Sequence, residues 1–328
     1  MEKASANDFL RVEHIGKCFP IKGGVFSKTV GRVCAVDGVS FSVKAGDTLG
    51  IVGESGCGKS TLGRLILRLI EPTEGKVFFE GVDLSSLGMN QLKLLRQKMS
   101  IMFQDPYSSL DPRMNVGRII AEPLRIHRLA HSGEEIRERV CQVLQRVELP
   151  KGSEHRYAHE FSGGQRQRIG IARALILKPK LLIADEPVSA LDVSVQAQVL
   201  NLLVELQREF ELTYLFISHD LRVIQYISDR VAVMYLGRFM EFADVEILYQ
   251  KPKHPYTEAL LSAAPLPDPE AVKKKITLQG DVPSPINPPT GCAFHPRCRY
   301  RREDCSIVRP DLQEVEPGHF VACHYPLN

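Results

Sequence analysis

The chain contains 328 residues, of which 44% are hydrophobic and 25% are charged, and its formal net charge is +3. This composition is typical of a globular protein with a large core, and the small net charge gives no reason to expect a nucleic-acid partner. No apolar run approaches the roughly 18 residues that a membrane-spanning helix needs, and residues 1–17 lack the apolar centre of a signal peptide. We therefore expect a protein of the cytoplasm.

The first 52 residues predict strands that are separated by turns. Residues 9–12 and 39–43 alternate apolar and polar side chains, as half-buried strands do. Residues 22–31, which lie between them, contain glycines and predict a flexible loop. Phe19 precedes this loop, where an aromatic side chain can either stack on a purine ring or belong to the core.

The next segment has the form of a phosphate-binding loop. Residues 53–61 read GESGCGKST and fit the pattern G-x-x-x-x-G-K-[ST], with an apolar run before them and helical apolar spacing after them. Backbone N–H groups of such a loop point at a bound anion, and the following helix N-terminus adds its partial positive charge. We expect Lys59 to reach the β- and γ-phosphates of a nucleoside triphosphate and the Ser60 hydroxyl to bind Mg²⁺. The loop residues are Gly53, Glu54, Ser55, Gly56, Cys57, Gly58, Lys59, Ser60 and Thr61.

A mostly helical segment follows the phosphate loop. Residues 76–79 and 100–103 predict two further strands, and Gln104 directly follows the second of them. Residues 134–148 carry apolar side chains on one helical face and charges on the other. The span from about 106 to 176 is therefore expected to be mostly helical and to be inserted between strands of a parallel sheet.

A second glycine-containing motif opens the last helix of that segment. This helix is predicted to run from Phe161 to Leu177, with Ser162 and two adjacent glycines at its start. Backbone N–H groups at a helix start suit a second anion site. Ser-Gly-Gly is common in loops, so its significance depends on the motif that comes after it.

That motif is a pair of carboxylates at the end of a strand. Residues 181–184 form a buried strand pattern that ends in Asp185 and Glu186, the form of a second NTPase motif. Asp185 would hold Mg²⁺ through water, and Glu186 would polarise the attacking water. Adjacent carboxylates repel each other unless a cation lies nearby, which favours the functional interpretation.

A histidine follows the next buried strand. After a predicted helix over about 194–209, residues 214–217 form a strand pattern, and His219 comes directly after Ser218. The carboxyl ends of parallel strands are where ligands bind. A lone histidine is more often structural, but together with Asp185 and Glu186 its position favours a contact to the γ-phosphate.

Together these motifs resemble the ATP-binding subunits of ATP-binding cassette (ABC) transporters, over about residues 8–250. The resemblance implies an α/β P-loop NTPase of the ABC type, with a RecA-like parallel sheet core, an antiparallel β subdomain, a helical signature subdomain at about 106–176 and a small Cys-rich C-terminal extension. It implies three segments: the nucleotide-binding domain at 1–250, an importer C-terminal segment with a Pro-rich linker at 251–289, and the extension at 290–328.

The resemblance also implies a role for each motif. Glu186, His219 and the glutamine-loop residue Gln104 match catalytic positions, and Phe19 matches the aromatic position that stacks on adenine. The expected Mg²⁺ ligands are Ser60, Gln104 and Asp185. The family signature corresponds to Ser162, Gly163, Gly164 and Gln165, and the D-loop corresponds to Ser189, Ala190, Leu191 and Asp192. In this family two subunits pair head to tail, so that the signature of one chain completes the ATP site of the other.

The C-terminal region narrows the resemblance. Residues 253–261 (KHPYTEALL) and 291–298 (GCAFHPRC) look like the segments that mark ATPases of dipeptide and oligopeptide importers, and the likeness is to their F-type ATPase subunit. This implies ATP-driven uptake of peptides. The implied partners are a related D-type ATPase that completes a heterodimer, two integral membrane permeases and, indirectly, an extracytoplasmic substrate-binding protein. The chain would sit peripherally on the cytoplasmic face of the inner cell membrane.

Other functions of the same ATP chemistry are also compatible with the motifs. Importers of nickel or glutathione belong to the same group. A soluble ABC ATPase that acts on nucleic acid or ribosomes usually carries two cassettes or a long coiled coil, and this chain has one cassette and no sustained heptad. The importer-like tail also disfavours an exporter subunit.

Four of the eight cysteines crowd the tail. Cys292, Cys298, Cys305 and Cys323 follow the proline-rich stretch 265–289 with spacing C-x5-C-x6-C-x17-C, unlike the close pairs of zinc ribbons. In a reducing compartment such crowding suggests metal ligation. Four thiolates suit Zn²⁺, with histidine substitution from His295, His319 or His324, or a [4Fe–4S] cluster, and reduced cysteines without metal are the alternative. The resemblance favours the cluster. The other cysteines, Cys18, Cys34, Cys57 and Cys141, are expected to stand alone.

Overall fold

The computed structural model describes residues 8–23, 28–104, 109–130, 132–263 and 276–328. The chain divides into two compact units. Unit 1 contains residues 1–44, 48–85 and 218–328, and unit 2 contains residues 45–47 and 86–217. Among the described residues, no helix combines the length and the hydrophobicity that crossing a lipid bilayer requires.

The elements of the described residues alternate between strands and helices. The strands are β1 (Leu10–Gly23), β2 (Lys28–Val43), β3 (Thr48–Val52), β4 (Glu74–Phe79), β5 (Val82–Asp83), β6 (Met99–Met102), β7 (Leu181–Asp185), β8 (Thr213–Ser218), β9 (Arg230–Tyr235), β10 (Arg238–Asp244), β11 (Gln313–Glu316) and β12 (His319–Val321). The helices are α1 (Lys59–Ile66), α2 (Met89–Leu95), α3 (Val116–Ile126), α4 (Gly133–Arg146), α5 (Gly163–Leu175), α6 (Val193–Phe210), α7 (Leu221–Ile227), α8 (Val245–Gln250) and α9 (Pro255–Ala263). Short 3₁₀ turns lie at Leu84–Ser86, Ser153–His155, Ala158–Glu160, His295–Arg297 and Glu303–Ser306.

Unit 1 contains an antiparallel sheet with the strand order β2-β1-β4-β5. Strands β1 and β2 are longer than the sequence predicted, because Lys22 pairs with Thr29 and Gly23 pairs with Lys28. The prediction of a flexible loop over 22–31 is therefore wrong for its strand-forming ends, and residues 24–27 lie outside the described part. Antiparallel pairing gives the backbone of this polar stretch hydrogen-bond partners, which local composition does not reveal.

Unit 1 also contains the strands β11-β12-β10-β9-β3, in that order. Strand β3 is parallel to β9, and the other pairs are antiparallel. All five residues of β3 are buried, which explains its unbroken apolar sequence. Because β11 and β12 come from residues 313–321, the predicted extension 290–328 adds two strands beside β10.

Unit 2 contains three parallel strands in the order β8-β7-β6. They confirm the strands that the sequence predicted near 100–103, 181–184 and 214–217. The predicted helices near 134–148 and 194–209 are α4 and α6, and the signature helix α5 ends at Leu175. Residues 106–108 and 131 of the predicted helical segment lie outside the described part.

Candidate functional site

The phosphate-loop motif of unit 1 forms a curled loop between β3 and α1. Gly58 precedes α1 with a left-handed φ of 108°. The Lys59 ammonium group donates hydrogen bonds to the carbonyl oxygens of Gly53, at 2.7 Å, and Glu54, at 3.0 Å. Lys59 is only 5% exposed, so the loop is wrapped around its own lysine. The structure thus brings the predicted phosphate-binding residues together in one turn.

Two glycines of this loop are required by the backbone that surrounds it. A Cβ atom on Gly53 would overlap the carbonyl oxygen of Met234, and one on Gly58 would overlap the carbonyl oxygen of Ala35. Only glycine allows so close a backbone approach. The motif glycines therefore serve tertiary packing as well as loop curvature.

Residues distant in sequence hold Glu54, the second residue of the loop. Its backbone N–H donates to the Tyr256 hydroxyl at 3.0 Å. Its carboxylate accepts two hydrogen bonds from the Arg297 guanidinium, at 2.7 Å and 3.0 Å. Sequence analysis did not identify Tyr256 or Arg297 as site residues, although both lie in the tail segments that carried the importer resemblance.

Cys57 lies inside the phosphate loop as a buried thiol. Burial raises its pKa, and the neighbouring Lys59 ammonium acts in the opposite direction. A thiol that stays protonated in this way fits a small packing residue rather than a redox centre.

Phe19 lies in β1 opposite Val33 of β2. It is 37% exposed, and the Lys17 ammonium lies 5.3 Å from its ring centroid. This exposure excludes the core interpretation and leaves a ring face that a purine can stack on.

Cys18 and Cys34 form a disulfide across the same strand pair. The expectation that they stand alone was wrong. Their positions, 16 residues apart, become neighbours only through the register of β1 and β2. Strand register is a property of the folded sheet, and the spacing of the two cysteines in the sequence does not reveal it.

His219 follows β8 directly and is exposed. The next residue, Asp220, caps α7 by accepting a hydrogen bond from the backbone N–H of Arg222 at 2.8 Å. The cap ends the strand-to-helix connection immediately after the histidine, so His219 is held at a defined turn.

In unit 2, the paired carboxylates stand at the end of β7 as predicted. Asp185 is 2% exposed, and Glu186 has a left-handed φ of 48°, a strained conformation that points to a functional constraint. The Gln104 amide donates to the Glu186 carboxylate at 2.9 Å. Two of the predicted catalytic residues, 82 positions apart, are therefore in direct contact.

The signature residues of unit 2 form the start of α5. Ser162 and Gln165 make a reciprocal capping box, in which each side chain accepts a hydrogen bond from the other residue's backbone N–H. A Cβ atom on Gly164 would overlap the side chain of Val195, and one on Gly163 would touch Leu191. The signature glycines are thus fitted to the residues in and after the D-loop.

The D-loop itself links the carboxylates to α6. The Ser189 hydroxyl donates to the carbonyl oxygen of Glu186 at 3.1 Å. Asp192 caps α6 by accepting from the backbone N–H of Val195 at 2.9 Å. This short turn therefore ties Glu186 to the helix beside the signature.

The four tail cysteines line one small cavity. Burial raises the pKa of Cys323 to about 11, and the charges of the other three thiolates act in the same direction. Burial also raises the pKa of Cys292 and of Cys298. Throughout the described ranges, however, no group of three or more His, Cys, Asp or Glu side chains is arranged so that it could hold a metal ion.

The tail histidines, which the sequence left open as zinc ligands, contact other groups. The His319 ring lies 2.7 Å from the buried Glu241 carboxylate. The His295 and His324 rings each lie 2.9 Å from a backbone carbonyl oxygen, those of Cys292 and Val308. The His295 and His324 rings also line the cavity, together with the four thiols.

Comparisons with known proteins cover almost the whole chain. The family model described as "ABC transporter" matches residues 36–189, and the one described as "Oligopeptide/dipeptide transporter, C-terminal region" matches residues 240–305. The Oligopeptide transport ATP-binding protein AppF of Bacillus subtilis (strain 168) is 54% identical over 327 residues, which cover 99% of each chain. The Probable peptide ABC transporter ATP-binding protein y4tS of Sinorhizobium fredii is 53% identical, over 96% of this chain and 89% of the relative.

Solved structures share the same architecture. The dimeric structure of MJ0796, described as a bacterial ABC transporter cassette, has a TM-score of 0.64 at 28% identity and covers 72% of this chain and 98% of its own. A dimeric post-hydrolysis state of MJ0796 bound to ADP and Pi has a TM-score of 0.64 at 29% identity, with the same coverage.

Proposed function

This chain belongs to the ABC transporter ATPase family, and we propose that it uses ATP hydrolysis to energise the import of oligopeptides or dipeptides. Its fold is that of an ABC ATPase cassette. The observation that carries the proposal is the match over 99% of the chain to a relative named as an oligopeptide transport ATP-binding protein. Importers of nickel or glutathione remain the alternative for the cargo, which proteins other than this chain select.

In the proposed nucleotide site of unit 1, Lys59 exchanges its two carbonyl contacts for phosphate oxygens. Its ammonium group is already inside the loop, so binding requires a change of partners rather than a large movement. Ser60 would bind Mg²⁺, which neutralises phosphate charge when it is bound. Phe19 would stack on adenine, a role that its exposed ring supports.

In the proposed catalytic mechanism, Glu186 accepts the proton of the attacking water. The hydrogen bond from Gln104 orients its carboxylate at the end of β7. Gln104 and Asp185 would also bind Mg²⁺, and His219 would contact the γ-phosphate. The position of Asp185, a carboxylate that is buried at the end of β7 and precedes Glu186, supports a role in binding Mg²⁺.

The proposed assembly is a pair of ATPases beneath two membrane permeases. Ser162, Gly163, Gly164 and Gln165, with the D-loop, would complete the ATP site of a partner ATPase. The exposure of Ser162 and the dimeric state of MJ0796 support this arrangement. A related D-type ATPase as the partner, an extracytoplasmic substrate-binding protein and a position on the cytoplasmic face of the membrane complete the proposal.

We also propose that Cys292, Cys298, Cys305 and Cys323 bind a [4Fe–4S] cluster. The gathering of four thiols around one cavity supports this donor set, while their side chains do not have ligand geometry. Iron and sulfide analysis of anaerobically purified protein tests the proposal. We expect about four irons per chain, as the cluster formula requires. Stoichiometric zinc, or the absence of both metals, would overturn it.

Peptide uptake by cells that lack the chain tests the transport function. We expect the wild-type chain to restore uptake of labelled peptides and Glu186→Gln to fail, because the general base is lost. Glu205→Gln, the same substitution on the exposed side of α6, is the matched control and should restore uptake.

The partners are tested by gentle detergent pull-down from native membranes. Recovery of two multi-spanning permeases and a related ATPase is the expected result. Recovery of ribosomes or nucleic acid instead would leave the ATP chemistry standing and remove the transport proposal.

A further inference from the structure

The backbone and side chain of Glu54 are held from three sides. Its carbonyl oxygen accepts from Lys59, its N–H donates to Tyr256, and its carboxylate binds Arg297. Glu54 follows the first glycine of the phosphate loop, so its position sets where the loop leaves β3. Both outside partners come from the C-terminal part of the chain.

The contact between Glu54 and Arg297 has the geometry of a strong ion pair. The two guanidinium nitrogens reach the two carboxylate oxygens separately, and the Arg297 side chain is only 7% exposed. Such two-point, charge-assisted hydrogen bonds fix both distance and orientation. The hydrogen bonds to Glu54 also raise the pKa of Arg297, which favours the charged guanidinium.

A cluster of three aromatic rings supports the ion pair between Glu54 and Arg297. The rings of Tyr235 and Tyr256 lie 4.7 Å apart, and Phe294 lies 5.5 Å from the first and 5.3 Å from the second. Phe294 is 1% exposed and precedes the 3₁₀ turn that carries Arg297. Because the ring anchors this turn, the guanidinium is presented to the loop by a rigid support.

We propose that Arg297 is a positioning residue for ATP: by binding the Glu54 carboxylate, it holds the phosphate loop in the conformation that receives the nucleotide. The inference rests on the proposed function of the loop. It also gives the C-terminal region of this importer family a role within the ATPase itself, since Tyr256 and Arg297 both lie in the matched range 240–305.

The test measures ATP binding and hydrolysis by the purified full-length chain with Mg²⁺. For Arg297→Gln we expect the dissociation constant for ATP to rise about tenfold, and hydrolysis at saturating ATP to change less than about twofold. Arg297→Lys keeps the positive charge but loses the two-point contact. Its dissociation constant for ATP should therefore lie between those of the wild type and of Arg297→Gln. Glu54→Gln tests the same contact from the loop side, should Arg297→Gln fail to fold.

A matched control separates positioning from general stability of the tail. Arg299 binds Glu258 at 2.8 Å two residues further along, with a side chain that is 49% exposed, so Arg299→Gln should leave ATP affinity unchanged. The double variant Glu54→Gln with Arg297→Gln should bind ATP no more weakly than either single variant, because the two substitutions break the same contact. The metal content of every variant is measured alongside.

Three results would overturn the inference: unchanged affinity in Arg297→Gln, an equal loss in Arg299→Gln, or additive losses in the double variant. Lys59→Ala distinguishes failure of the positioning role of Arg297 from failure of the proposed ATP site. If it weakens binding while Arg297→Gln does not, only the positioning role falls. If the wild-type chain does not bind ATP, the proposed function falls with it.

Discussion

The phosphate loop and the signature motif are held in place by different kinds of contact. Glu54 of the phosphate loop bonds to residues 202 and 243 positions away, and Gly58 packs on the backbone of Ala35. Ser162 of the signature bonds to Gln165, three positions away. The first motif therefore depends on the completed fold of unit 1, whereas the second is largely a local helix start.

This difference predicts where each motif is vulnerable. A locally capped helix start keeps its conformation when distant parts of the chain change, because its hydrogen bonds do not depend on them. A loop held by long-range contacts loses its conformation when any of its distant supports is removed. Four experiments test this difference between the two motifs.

The largest effect is expected at Glu186. Glu186→Gln should lower the turnover of ATP by about 10²–10⁴-fold while ATP still binds, because the general base is lost and the phosphate loop is untouched. Lys59→Ala should instead weaken binding itself. Equal loss of hydrolysis at wild-type affinity in both variants would contradict these separate roles.

The next effect tests the close approach at Gly58. Gly58→Ala should lower the free energy of unfolding by about 3–4 kcal/mol, since the new methyl group combines a left-handed backbone with an overlap on the Ala35 carbonyl. Gly56 also has a positive φ, but a Cβ atom there meets no neighbour within 4 Å. Gly56→Ala should therefore cost only about 1–2 kcal/mol in urea unfolding. Equal losses of unfolding free energy in the two variants would show that Gly58 is required by its backbone conformation alone, and not by the close approach of Ala35.

The third effect is a pH dependence of the tail that supports the loop. His254 is 1% exposed, and its Nδ1 accepts a hydrogen bond from the Tyr256 N–H at 3.0 Å. Burial lowers the pKa of His254 to about 4, although Glu241 acts in the opposite direction. In the unfolded chain the pKa of this histidine is near 6.5, so the unfolded state takes up a proton before the folded state does. The contribution of His254 to stability therefore falls as the pH drops through 6.5 and levels off below about 4.

At pH 5 this histidine should lower the free energy of unfolding by about 2 kcal/mol relative to pH 7. The measurement is urea unfolding of the wild type and of His254→Gln at both values. The variant should lack this part of the pH dependence. An identical dependence in both proteins would assign it to other groups.

The smallest effect compares two helix caps. Ser162 caps α5 and Ser132 caps α4, where its hydroxyl accepts from the Glu135 N–H at 3.1 Å. Ser162→Ala and Ser132→Ala should each cost about 1 kcal/mol of stability. ATP hydrolysis by the assembled transporter should fall only in Ser162→Ala. Loss of hydrolysis in both variants would mean that capping, rather than a contact to nucleotide, explains the signature serine.

Much of the candidate site could be predicted from the sequence because its chemistry lies in short motifs. The phosphate loop, Asp185 with Glu186, and the D-loop are each defined by residues that follow one another, and the structure finds them at the predicted strand and helix ends. The contact between Gln104 and Glu186 was not visible in the same way, since it joins the ends of two neighbouring parallel strands. Cys18 and Cys34 were missed for a similar reason, because a strand register pairs them.

The sequence alone determined the phosphate loop, the paired carboxylates, the signature and the order of strands and helices around them, since those features follow from residue type and local spacing. The tertiary structure decided what supports the phosphate loop. In the sequence, Tyr256 and Arg297 are recognisable only as parts of the tail segments. The fold places both of them against Glu54. Local pattern encodes which backbone groups need partners, whereas only chain folding brings those partners from 200 residues away.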